Sequence, residues 1–170
     1  MLPRPQPRSD EQEFQAALQA EDTLGLVVRA HIRLELCLND LIAILLVDAA
    51  YVEKMNLEYS QKVNLVIALG LLPQYGPALL AMGSLRNAFA HRAGASLGRQ
   101  EANNLYKALA AEDRTLVIQS YERTKSQVKE TPMPQFRALP PKDQFIFIAV
   151  SLRTALEFAI AEATARKSAA

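Results

Sequence analysis

Within six residues, the segment Leu85-Arg86-Asn87-Ala88-Phe89-Ala90-His91-Arg92 carries an arginine, an asparagine and a histidine. These types suit one chemistry in particular. A guanidinium forks two donors onto phosphate oxygens, and its charge does not titrate. Imidazole, with an unperturbed pKa of about 6.5, gives and takes protons near neutrality. Asn87 stands between them and can orient either. Such a set can hold a phosphodiester and move a proton beside it, and no carboxylate cluster with metal-ligand spacing stands nearby. The chain has only two histidines. The other, His31, opens a polar line with Glu35 and Asn39 at four-residue intervals, flanked by Arg29 and Arg33.

A helix must position the central segment. At about 100° per residue, Ala78, Met82, Leu85 and Phe89 form one apolar stripe, while Leu80, Ser84, Asn87 and His91 fall opposite. Arg86 then lies about 140° from His91, so one ideal helix does not aim both at one target. Either the helix end distorts or a second copy of the segment completes the site. Gly83, Ser84 and Ala90 are small enough to admit another helix closely, which favours a homodimer through this helix, with paired Arg86 and His91 in one cleft. The plainer alternative has Asn87 and His91 capping a helix end and bonding a neighbouring loop.

The remaining chain reads as all-α. Ser9, followed by Asp10, Glu11 and Glu13, starts a short helix ending near Ala20, with its acids at the positive dipole end. Asp22 or Thr23 caps a long helix running to about Val47, or on to Lys54. Ser60 begins a third, closed by Gly70. Pro77 suits the first turn of the fourth, which ends near His91, and Gly94 and Gly98 mark the loop after it. Helical pattern resumes over Gln100–Ala110, Asp113–Lys129 and Lys142–Arg166, the last after a Pro-rich connector, Thr131–Pro141. The expected fold is a bundle of four to five principal helices with short flanking ones, residues 10–170 forming a single domain behind a disordered Pro/Arg leader, residues 1–9.

Composition narrows the partners. Net charge is +1, so no global field draws the chain to nucleic acid or anionic membrane, and any nucleic-acid contact must be local. The N-terminus lacks the apolar core of a secretory signal. The longest apolar run, Leu34–Val47, is broken by polar residues and shorter than the roughly 20 needed to span a bilayer. The expectation is a cytoplasmic protein without membrane contact. Cys37, the single cysteine, reads as a small buried hydrophobe. Arg92 and Arg99 could steer RNA backbone, and Tyr121, Arg123, Lys125 and Lys129 read as a solvated basic-aromatic face. On an apolar helix, His31 and Glu35 are expected to be partly buried and therefore partnered; Glu35 could orient Arg86 or His91.

The run KVNLVIALGLLPQYGPALLAMGSLRNAFAHR, with AHIRLELCLNDLI before it, resembles the mannitol-operon-repressor-like branch of the HEPN superfamily, whose signature is Arg-X(4–6)-His. The likeness covers roughly residues 23 to 95. It implies a helical bundle that dimerises through the motif helix. In catalytic members, paired Arg and His form a metal-independent endoribonuclease site, without cofactor. Carried onto this chain, Arg86 would engage the scissile phosphate of an RNA substrate, His91 would serve in acid–base chemistry, and Asn87 would orient both. His31, Glu35, Ser84 and Arg92 would support them. Toxin members partnered with a nucleotidyltransferase carry a tyrosine two residues past the histidine; Ala93 stands there, which sets this chain apart from that subtype. The rival reading is a non-catalytic transcriptional regulator using the same dimer to bind a regulatory protein partner. No helix-turn-helix with a basic recognition helix is apparent, which argues against direct DNA readout.

Overall fold

The computed structural model describes residues 22–92, 95–127 and 133–169. The expected leader, the expected helix Ser9–Ala20, the loop residues Ala93 and Gly94, Lys129 and the start of the Pro-rich connector lie outside the described residues.

The fold is all-α, with no strand among the described residues. The first helix, α1 (Thr23–Leu45), starts where the Asp22 carboxylate accepts the Gly25 amide at 2.6 Å, satisfying one of the donors that a helix start leaves unpaired. It stops earlier than the apolar pattern suggests. The Asp48 side chain accepts the Ala50 amide at 3.0 Å and starts a separate short helix, α2 (Ala50–Glu53). Next comes α3 (Tyr59–Ala68), entered through a Glu58 amide that donates to the Gln61 side chain at 2.8 Å. Its exit needs Gly70, which has φ +116° and lets the Leu71 amide reach back to the Val66 carbonyl. A residue with a Cβ is strained in that backbone conformation.

A turn at Pro73–Tyr75 leads into α4 (Gly76–His91), with Pro77 in its first turn. Three further helices follow: α5 (Arg99–Ala108), α6 (Ala111–Gln127) and, after a 3-10 turn at Phe136–Ala138, α7 (Pro141–Ala169).

The central pair is α1 against α7. On α1 lie α3 and α4, which also touch each other; α5 bridges α4 to α7, and α6 packs on α7. One continuous core results, from Leu26, Leu34, Leu38 and Leu41 of α1 through Met82 of α4 to Phe145, Ile148, Leu152 and Leu156 of α7. Cys37 is buried and free, its thiol pushed up to about 11 chiefly by burial and further by the charge of Glu157. By length and composition α7 could cross a membrane, with 44% of its most apolar stretch buried inside the bundle. It also carries Arg153, buried and paired with Glu157 at 2.7 Å.

One expected surface turns out to be interior. Tyr121 is fully buried, its ring edge-on to Phe136 and Phe147 and its hydroxyl donating to the Pro134 carbonyl. Arg123 is exposed and Lys125 half-buried. The face called basic-aromatic from sequence is therefore a basic surface behind a core tyrosine. Where described, the Pro-rich connector is packed down, with Phe136 and Leu139 buried and the Leu139 carbonyl accepting from the Gln144 side chain at 2.8 Å.

Phe145 sits at the centre of this core with no exposed surface. Phe145→Ala should cost about 3–5 kcal/mol, the usual range for an emptied aromatic site. Urea unfolding of the two chains measures it, and a loss under about 1 kcal/mol would contradict so close a packing.

Candidate functional site

α4 is anchored near its middle by a missing side chain. Gly83 is buried against the Tyr59 ring of α3, and a Cβ there would lie 2.8 Å from Tyr59 Cδ1. The small residue expected to admit a second chain is thus spent on a contact within this one. From that point the helix carries its polar end outward. Ser84, Arg86, Asn87, His91 and Arg92 are all exposed, while Leu85 and Phe89 are half-buried.

The wheel geometry holds in outline. Ala78 and Met82 are buried, and Leu80, Ser84, Asn87 and His91 face away from the core. The Ser84 hydroxyl donates to its own helix at the Leu80 carbonyl, 3.0 Å. Arg86 Nη1 donates to Asn87 Oδ1 at 3.1 Å, so Asn87 holds the guanidinium as expected. His91 takes no hydrogen-bond or ion-pair partner among the described residues, and no contact of that kind joins it to Arg86. The helix ends there, with Arg92 extended at φ −122°, ψ 112°. Within one chain, the two residues share a helix end but no target.

Arg86 instead belongs with a half-buried polar cluster under α4. His31 of α1 is buried, 6% exposed, its ring 4.2 Å from that of Tyr59. Glu35, one turn on, lies 3.9 Å from His31 Nδ1 and accepts Lys62 Nζ of α3 at 2.7 Å. Burial chiefly lowers the His31 pKa. Glu35 opposes that shift, and the charges of Arg86 and Lys62 reinforce it. The ring is therefore held towards its neutral form. Burial, with Glu35 second, raises the Tyr59 phenol, whose hydroxyl finds no partner among the described residues.

The expected burial of His31 is thus met, and its partners are now explicit. Glu35 is committed to Lys62 and faces His31, and the charge of Arg86 also reaches that imidazole. Asn39, Arg29 and Arg33 are exposed elsewhere on α1. Two members of this cluster, Tyr59 and Lys62, were not singled out from sequence. The available signal was that both fall on the half-buried side of α3, one and four residues ahead of the fully buried Val63 and Val66 respectively. No three His, Cys, Asp or Glu side chains converge among the described residues.

Two outcomes follow from this packing. At Gly83, Ala gains about 1 kcal/mol of helix propensity but forces overpacking worth about 1–3 kcal/mol on the Tyr59 ring. Gly83→Ala should therefore lower the denaturation midpoint, and a rise would mean the ring yields freely. His31 supplies a pH dependence. Because its folded pKa lies below the unfolded value of about 6.5, the unfolded chain binds the proton more readily. Stability is full above that value and falls as pH drops through it. Urea midpoints measured from pH 7 to pH 5 should decline more steeply for the wild type than for His31→Gln; parallel declines would contradict a buried neutral ring.

No family model, no curated protein and no solved structure matches the chain.

Proposed function

We propose that this protein is a HEPN-type homodimer and a metal-independent endoribonuclease, with Arg86, Asn87 and His91 of two copies forming the site. The observation that carries the reading is the state of the α4 terminus. An arginine held by its neighbouring asparagine rather than by a carboxylate, and a histidine without an ion-pair partner among the described residues, stand exposed at one helix end. A buried or ion-paired Arg86 would be unavailable to a phosphate; this one is available.

The chemistry needs little more. Arg86 forks onto the non-bridging oxygens of the scissile phosphate and offsets charge as it builds there. The ribose 2′-hydroxyl attacks phosphorus in line, and the bond to the 5′-oxygen breaks. The products are a 2′,3′-cyclic phosphate on one fragment and a 5′-hydroxyl on the other. His91 takes the 2′-hydroxyl proton or protonates the departing oxygen; with two copies in one cleft, the two histidines divide those tasks. Arg86 and His91 diverge on their own helix, so pairing across copies brings an Arg of one chain to a His of the other. The Lys62–Glu35–His31 cluster supports the base of Arg86.

The test is cleavage of varied single-stranded RNAs in EDTA. Wild type should cut, while Arg86→Ala and His91→Ala should each lose at least a hundredfold, the usual scale for an acid–base or charge-stabilising group. Mixing the two inactive variants should restore part of the activity, because mixed dimers rebuild an Arg/His pair. Wild type that cuts nothing, or a His91→Ala chain that cuts normally, would sink the nuclease reading. Inactive variants that fail to complement would sink the two-chain site.

A further inference from the structure

The side of α1 turned away from the core is apolar where a solvated face should be polar. Gly25, Val28, Ile32 and Leu36 recur along it within about 60° of the direction opposite Leu34. Ile32 is 50% and Leu36 47% exposed, and with Arg29 and Arg33 these residues line an open groove. An apolar stripe of this kind marks a surface that something covers.

Three observations identify the occupant. The chain before Asp22 runs into the start of the groove, since Asp22 caps α1 three residues ahead of Gly25. That preceding chain includes Ser9–Ala20, SDEQEFQAALQA, in which Phe14, Ala17 and Leu18 share one helical side while Asp10, Glu11 and Glu13 supply negative charge. Twelve helical residues span about 18 Å, against about 17 Å from Gly25 to Leu36. Only Glu21 and Asp22 separate the two stretches, and a connection that short returns one helix antiparallel against the next.

We propose that Ser9–Ala20 lies as a helix along this face, closing an αα-hairpin with α1. In that register Leu18 meets Gly25, Phe14 sits between Val28 and Ile32, Glu13 comes beside Arg29, and Asp10 comes opposite Arg33. The charge pattern favours this occupant over a second copy of α1. Two copies paired antiparallel over the same stripe would set Arg29 of one against Arg33 of the other, a like-charge contact that costs affinity.

Cysteine pairing in the full chain tests the inference. Cys37→Ala removes the native thiol, and Ala17→Cys with Val28→Cys places one thiol on each apposed face. Gln19→Cys with Val28→Cys is the control, because position 19 points away. Mild oxidation at low protein concentration should give a fast-migrating monomer on non-reducing gels for the first pair, at least tenfold faster than for the control. Hydrogen exchange of the unsubstituted chain should show slowed amides over residues 9–20. Disulfide-linked dimers in place of the fast monomer would assign the face to a second copy and overturn the hairpin. Equal rates for the two pairs, or unprotected amides over residues 9–20, would overturn it as well.

Discussion

Everything in this bundle leans on α1. Nine of its residues, from Leu26 to Ile42, are buried, spread over an arc of about 160° around the helix. So wide a buried arc takes more than one neighbour to cover, and α7 covers one flank while α3 and α4 cover the other. The two flanks differ in character. Towards α7, contact is mainly aliphatic and aromatic, with Cys37 near Arg153 and Glu157. Towards α3 and α4, α1 presents His31 and Glu35, so a polar cluster had to be assembled at the junction of three helices. Burying an imidazole and a carboxylate is costly unless each is neutral or paired. Here the imidazole is held towards neutrality and the carboxylate takes Lys62.

That junction sets the geometry of the α4 terminus. Tyr59 lies on His31 from one side and on Gly83 from the other, which fixes how α4 is rotated about its own axis. With the rotation fixed, Arg86 falls on the side that overlooks the cluster, and Asn87 and His91 fall on the side that faces water. The angular offset between Arg86 and His91 is thus a packing consequence. A site that uses both must bring the second member from elsewhere, and this is the ground for the two-chain proposal.

Much of the fold was legible because the apolar periodicity of α1, α3, α4 and α7 is strong and its endings are marked by Asp22, Gly70 and Pro77. The divergence of Arg86 and His91 and the burial of His31 were legible too, since both follow from helical angle and local apolarity. What escaped depended on contacts between elements distant in sequence. Nothing local distinguishes Gly83 that admits a neighbouring chain from Gly83 that admits Tyr59. Tyr121 sits among Glu122, Arg123 and Lys125 and reads as surface; only the approach of Phe136 and Phe147 makes it core. The break after Leu45 hid inside a continuous apolar run, because one Asp48 carboxylate accepting a backbone amide was enough to restart the chain in a new direction.

The lone thiol offers a last consequence. Cys37 is buried on the flank of α1 where the charges of Arg153 and Glu157 also bear on it, and the chain has no second sulfhydryl. A thiol so raised and enclosed is almost never a thiolate at neutral pH, so oxidants and alkylating reagents have nothing to attack while the helices stay together. Its modification rate therefore counts the moments at which the bundle opens around it, making Cys37 an internal clock for the separation of the helices on which the fold depends.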